Sequence, residues 1–256
     1  MSELILETTG LSKDFKGFTA VDGVDLRVQR GHIHALIGPN GAGKTTCFNL
    51  LTKFLTPTRG RIVFGGVDIT AERPAQIARR GVIRSFQISA VFPHLTVLEN
   101  VRIGLQRFTG TSYHFWRGLS GLRALDARVL ELLELVDLRD MAQLKAGELA
   151  YGRKRALEIA TTMAMEPQLM LLDEPTQGMG HEDVDRVTTL IKRVAEGRTV
   201  LMVEHNMKVV SRIADRITVL ARGSVLAEGD YASVSAHPAV LEAYMGSESA
   251  ELQGAH

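Results

Sequence analysis

The sequence predicts an α/β fold: a core sheet, an N-terminal antiparallel β subdomain and an inserted α-helical subdomain. Three features point to it. Apolar runs at Ile33–Gly38, Leu169–Leu172 and Thr199–His205 are short and bounded by turn or polar residues, as buried strands are. The first thirty residues hold short alternating segments with turn residues between them. From about Ile88 to Met165 the strand signal fades and apolar residues recur at helical spacing. The expected layout is one domain over 1–247, with its core in 1–87 and 166–247, its helical subdomain in 88–165, and a flexible tail at 248–256.

Taken in order, LILET (from Leu4) and the alternating VDLRV (from Val24) read as half-buried antiparallel strands. Ile33 to Gly38 is a strand running into a Gly-rich loop, and Thr45 to Leu55 reads as a helix with Phe48, Leu51 and Leu55 on one face. Gly65-Gly66 inside RIVFGGVDI marks a hairpin, and Val82 to Phe86 is a further strand. Thr96 followed by Glu99 forms a capping box that opens a helix. Leu122, Leu125, Val129, Leu132 and Val136 mark a second helix, and Gly152 to Ala164 a third. Val184, Val187, Ile191 and Val194 give a later helix, with Glu182 and Asp183 near its start, Lys192 and Arg193 near its end, and Gly197 as the stop. Residues 216–230 read as a hairpin turning at Arg222-Gly223.

Composition narrows the function classes. The chain has 256 residues, 45% hydrophobic and 23% charged, which excludes a disordered or collagen-like protein. Thirty Lys and Arg against 29 Asp and Glu leave a net charge of +1, with no basic block for nucleic acid, so no nucleic-acid partner is expected. The single cysteine, Cys47, excludes an internal disulfide and suits a reducing compartment. MSELILETTG has neither a basic nor an apolar signal region, and no run approaches the roughly 18 apolar residues that span a bilayer.

The segment Gly38-Pro39-Asn40-Gly41-Ala42-Gly43-Lys44-Thr45, followed by Thr46, matches the full phosphate-loop pattern between a strand and a helix. Its glycines admit backbone conformations that turn successive N–H groups onto phosphate oxygens, and the helix N-terminus adds partial positive charge. Lys44 is expected to reach the β- and γ-phosphates and the Thr45 hydroxyl to ligate Mg²⁺. Asp173 ends an apolar strand, where open α/β sheets place ligands, and is a second candidate for Mg²⁺. Glu174, one residue on, is the candidate to orient or deprotonate an attacking water. His32 and His34 flank a strand without further ligands, so no metal site is expected there. Cys47 reads as a packing residue, with a modifiable thiol as the alternative.

At this point the chain resembles the nucleotide-binding subunit of ABC transporters over essentially its full length. The motifs stand in order: GPNGAGKTT at 38–46; Phe86-Gln87 followed by VFPHLTVLENV; LAYGRKRALEIA at 149–160, similar to the signature motif; LMLLDEP at 169–175; and His205 after a strand. Within that superfamily LAYG, EHNMKVVSRIADRITVL and HPAVLEAYMG look like ATPases of branched-chain amino acid importers, with urea and other small-solute importers as relatives. The resemblance implies a P-loop NTPase core that binds ATP and Mg²⁺ and pairs head to tail with a second cassette, identical or not. In that pairing Ala150 and Gly152 would face the γ-phosphate held by the partner. It further implies that Gln87 senses Mg²⁺ and the γ-phosphate, that His205 hydrogen-bonds the γ-phosphate, and that Phe15 stacks on adenine. For Phe15 and Phe18 a place in the β core stays open.

The implied partners are two permease subunits, a second ATPase subunit and, indirectly, a periplasmic solute-binding protein, with the chain at the cytoplasmic face of the inner membrane. A coupling helix of the permease is expected in the groove near Gln87 to Val101. Several residues depart from the commonest pattern: Ala150 lacks the signature hydroxyl, Arg153 replaces a glutamine, and Gly180 stands where an aspartate is common. Phe108, Tyr113, Phe115 and Trp116 read either as a loop near the membrane subunits or as a satellite core. A lipopolysaccharide-type exporter ATPase and a nucleic-acid-directed ABC protein are the other readings.

Overall fold

A computed structural model describes residues 3–85, 91–106 and 125–253, without the side chains beyond 245. In chain order the elements begin with β1 (Leu4–Phe15), β2 (Phe18–Val24), β3 (Arg27–Gln29), β4 (Ile33–Ile37), α1 (Lys44–Leu51), β5 (Arg59–Phe64), β6 (Val67–Asp68), α2 (Pro74–Arg79) and β7 (Val82–Ser85). They continue with α3 (Val97–Gln106), α4 (Asp126–Leu135), α5 (Tyr151–Ala164), β8 (Leu169–Asp173), α6 (His181–Val194), β9 (Thr199–Val203), α7 (Met207–Ile213), β10 (Arg216–Ala221), β11 (Ser224–Gly229), α8 (Tyr231–Ser235) and α9 (Pro238–Gln253).

The main sheet has the order β11-β10-β4-β9-β8-β7, parallel except for β11. Its central strands are apolar on both faces because both faces are covered. β4 and β9 are buried along their whole length, and alternate residues feed two cores. Ala35, Ile37, Met170, Leu172, Val200 and Met202 join the helical side with α3, α4, α5 and α6. Leu36, Leu171, Leu201 and Val203 join the other side, where Phe48 and Leu51 of α1 meet the second sheet. That sheet is antiparallel, with β1 pairing β2, β3 and β5 and β5 pairing β6. Val24, Leu26 and Val28 are buried while Asp25 and Arg27 are exposed, so the burial alternation of VDLRV is realised, but not as one strand: Asp25 and Leu26 lie between β2 and β3.

Local signals set most boundaries. Thr96 and Glu99 close the capping box in both directions, Thr96 N–H to Glu99 Oε2 at 2.8 Å and Glu99 N–H to Thr96 Oγ1 at 3.1 Å. Arg222 and Gly223, at φ 49° and 84°, make the turn between β10 and β11. α1 is shorter than the expected helix to Leu55. The Thr52 hydroxyl donates back to Phe48 O at 2.8 Å, and Lys53 turns to φ 63°, where its ammonium reaches Thr70 O. α9 runs as helix through Gln253, past the 247 boundary where a flexible tail was expected to begin. Among the described residues no helix is long and apolar enough to cross a membrane. Phe86, Gln87, Phe108, Tyr113, Phe115, Trp116 and Leu122 lie outside the described residues.

Candidate active site

The C-terminal ends of β4, β9 and β8 lie side by side, with Leu36 paired to Val203 and Val203 to Asp173. The turns that leave these strands therefore converge, and they carry the phosphate loop, His205 and Glu174. The loop from Gly38 to Gly43 is shaped by close approach. A Cβ on Gly38 (φ 148°) would stand 2.1 Å from Leu220 O, and one on Gly43 (φ 99°) 2.5 Å from Ala20 O. Gly223 N–H donates to Ala42 O at 3.1 Å, so the β10–β11 turn holds the outside of the loop. Gly43 caps α1, leaving Asn40 and Gly41 exposed on the loop, Ala42 buried, and Thr45 and Thr46 in the first helical turn.

Lys44 is buried at the helix start, and its ammonium donates to Gly38 O at 2.7 Å and Pro39 O at 2.9 Å. Burial pulls its pKa below the ordinary lysine value, while the charges of Glu174 and then Asp173 push the other way. The structure thus brings Lys44, Asp173 and Glu174 into one electrostatic neighbourhood. Glu174 holds a left-handed backbone, φ 44°, with its N–H on Val203 O at 3.0 Å. Asp173 is mostly buried and forms an ion pair with Arg84, whose other arm reaches Asn49 Oδ1 at 2.7 Å. Arg155 donates to Asp173 O at 2.8 Å and Pro175 O at 3.2 Å, and to Glu158 Oε2 at 2.6 Å.

His205 is exposed at the end of the β9 turn, its N–H on Glu204 Oε2 at 2.9 Å. Phe15 and Phe18 are 41% and 66% exposed, so neither has the core place left open for it; Lys13 Nζ lies 5.2 Å from the Phe15 ring centre. Ala150 is the N-cap of α5 and contributes no side-chain cap. Gly152 is buried in the first turn, packed so that a Cβ would stand 2.6 Å from Asp183 Oδ1 of the same chain. Tyr151 donates its hydroxyl to Gln177 O at 3.1 Å, tying that helix start to the turn after Glu174. Cys47 is fully buried, and burial pushes its thiol up to about 12, so it packs rather than reacts. No cluster of three or more metal-ligating side chains occurs among the described residues.

Comparison with known proteins places this arrangement. Residues 21–177 match the ABC transporter family, and residues 224–250 match a segment described as branched-chain amino acid ATP-binding cassette transporter. The protein BraF of Pseudomonas aeruginosa, a high-affinity branched-chain amino acid transport ATP-binding protein, is 40% identical, with 96% of this chain and 99% of BraF covered. The chain belongs to the ABC transporter ATP-binding family. LivG of Escherichia coli K12, another high-affinity branched-chain amino acid transport ATP-binding protein, is 39% identical over 96% of this chain and 99% of LivG. The ABC cassette fold is shared with solved structures. The ADP conformation of MJ1267, an ATP-binding cassette of an ABC transporter, superposes with TM-score 0.84 at 30% identity over 96% of this chain and 100% of that one. A nucleotide-free cassette gives TM-score 0.82 at 30% identity over 94% and 99%.

Three residues of this ABC cassette went unassigned in the sequence reading: Arg84, Arg155 and Glu204. Each is buried or mostly so; Arg84 and Glu204 stand inside or at the end of otherwise apolar segments, whereas Arg155 follows Arg153 and Lys154 and is marked by nothing in its neighbours. For Arg84 and Glu204 that misfit is the only signal the sequence carries, because such charges persist in a core only when paired.

Proposed function

We propose that this chain is the ATP-hydrolysing subunit of an ABC importer that energises uptake of branched-chain or related amino acids. The observation that carries the reading is the convergence of the glycine-built phosphate loop, Lys44, Asp173 and Glu174 at one sheet edge. The donor set suits a magnesium nucleotide: loop N–H groups and an ammonium for phosphate, a hydroxyl and a carboxylate for a hard cation. Thr45 and Asp173 would hold Mg²⁺ together with Gln87, and the ion would neutralise charge on the β- and γ-phosphates. Asp173, paired through Oδ2 with Arg84, would supply a carboxylate oxygen to the ion.

The loop amides of residues 40–46 cradle the phosphates, and Lys44 turns its N–H donors from Gly38 O and Pro39 O onto them. Phe15, exposed at the end of β1, stacks on adenine. Glu174 accepts the proton of a water whose oxygen attacks the γ-phosphorus as the bond to the β-phosphate oxygen breaks. His205 donates a hydrogen bond to the γ-phosphate and keeps the water in line. Ala150 and Gly152 present the start of α5 to the nucleotide of a second ATPase subunit, identical or different.

The helical subdomain, read as 88–165, meets the core at a groove of about 320 Å³ lined by Phe54, Pro74, Ala78, Ile83 and Met165. This groove, whose lining lies outside the expected Gln87 to Val101 span, takes a cytoplasmic segment of one of the two permease subunits; the chain then works at the inner face of the membrane, with the periplasmic binding protein acting through the permeases. The test is reconstitution with the permeases in vesicles. ATP-driven uptake of labelled leucine that stops with Lys44→Ala is expected. Uptake of urea alone, or outward movement of lipid, would overturn the substrate reading.

A further inference from the structure

We propose that Glu204 is a positioning residue for hydrolysis, setting the backbone at Glu174 against the backbone at His205; the inference rests on the ATPase reading above. Glu204 follows β9 and has 0% exposure. Its Oε1 accepts from the N–H of Thr176 at 3.1 Å and from the Thr176 hydroxyl. Its Oε2 accepts from the N–H of His205 at 2.9 Å and of Asn206 at 3.0 Å. Thr176 lies two residues after Glu174, whose own N–H is tied to Val203 O. The turns bearing the two residues that flank the attacked phosphate thus hang from the two oxygens of one carboxylate.

The chemistry requires a carboxylate at this position. An ionised carboxylate only accepts, at about four lone-pair sites, and here it meets four donors. A glutamine would set its own N–H₂ against a backbone N–H whichever way it turned, against Thr176 on one side or against His205 and Asn206 on the other. A buried group left facing a like donor shifts the backbone that carries it. The Glu174 turn is the sensitive one, since its left-handed φ of 44° is held from outside rather than favoured locally.

The experiment uses the full chain. Steady-state ATPase, single-turnover rates, MgATP affinity and thermal midpoint are measured for wild type, Glu204→Gln, Glu204→Asp, Thr176→Val and Thr176→Ser. Glu204→Gln is expected to lower kcat about a hundredfold, the scale of a misplaced catalytic group, with KM and MgATP affinity unchanged. Glu204→Asp and Thr176→Ser, which keep the acceptor and the donor, restore part of the rate; Thr176→Val gives a milder copy of the same split. Because Glu204 acts partly through Glu174, adding Glu204→Gln to Glu174→Gln should slow single turnover by much less than the product of the two single losses. Wild-type kcat in Glu204→Gln, an equal loss in MgATP affinity, or an additive loss in the double variant overturns the proposal. Should Glu204→Gln fail to fold, Thr176→Val with wild-type kcat overturns it. A wild-type chain inactive both alone and assembled with the permease and second ATPase subunits overturns the proposed function as well, so the two failures are told apart.

Discussion

Gly38 and Gly41 belong to the same loop but bear different loads. A side chain on Gly38 meets Leu220 O at 2.1 Å, a backbone atom of the sheet that cannot swing aside, whereas nothing lies within 4 Å of a Cβ on Gly41. Gly41→Ala carries only the strain of φ 75° and is expected to cost about 1 kcal/mol. Gly38→Ala adds a steric clash and should cost more than about 3 kcal/mol, with the difference read from urea unfolding of the two variants. The loop residues were legible from sequence because they are local: the strand, the glycines, Lys44 and Thr45 follow one another. Arg84 and Glu204 were not, because their partners are remote, Asp173 being 89 residues from Arg84 and Thr176 28 residues from Glu204. Sequence spacing carries no information about a pair formed only when β7 aligns with β8 and β8 with β9.

Elements show the same division between local pattern and tertiary partner. α4 and α5 each hold an arginine and a glutamate at i,i+3, Arg128–Glu131 and Arg155–Glu158, and the two pairs look alike on paper. The first is exposed, while the second is 5% and 2% exposed, with burial pushing the Glu158 carboxyl up to about 7 against the pull of Arg155. Glu131→Ala should change stability by less than about 1 kcal/mol. Glu158→Ala strands a buried guanidinium and should cost about 3–5 kcal/mol, a contrast that thermal unfolding checks directly.

Strand β4 carries a pH dependence of its own. His34 is buried, with Nε2 2.8 Å from the Thr218 hydroxyl, which itself donates to Glu228 Oε2 at 2.8 Å. With the hydroxyl proton committed to Glu228, His34 donates through Nε2–H and is held neutral. Burial, the largest cause, lowers its pKa from 6.5 to about 4 despite the opposing charge of Glu228. Between those values the unfolded chain binds the extra proton. Stability is therefore full above pH 6.5 and falls as pH drops through that window, by roughly 3 kcal/mol in all. His34→Gln keeps the donor to Thr218 and should flatten this part of the stability–pH curve.

At the scale of the whole molecule most strands and the helices α1 and α3 to α6 were readable in order, whereas α2, α7 and α8, each of seven residues or fewer, were not assigned. The apolar runs of β4, β8 and β9 announced a sheet covered on both faces, and the strand-poor stretch announced helices α3 to α5. The end of α1 and the helical course of α9 beyond residue 247 were not readable, because a helix stops or continues according to what meets its last turn. The groove between Phe54, α2 and α5 is likewise a product of assembly, since its lining comes from separate segments. Phe54 is 54% exposed there, and an exposed apolar ring beside a groove marks a contact surface. Phe54→Glu should leave the thermal midpoint nearly unchanged and reduce co-purification with the permease subunits, measured by affinity capture from membranes.

The account rests on Glu174 acting as a base beside the phosphate loop. Its most direct test is the single-turnover hydrolysis of MgATP by the purified chain, wild type against Glu174→Gln, with nucleotide affinity measured in parallel. The account predicts undiminished affinity and a rate lower by about 10²–10⁴-fold. Hydrolysis at the wild-type rate in Glu174→Gln would contradict it.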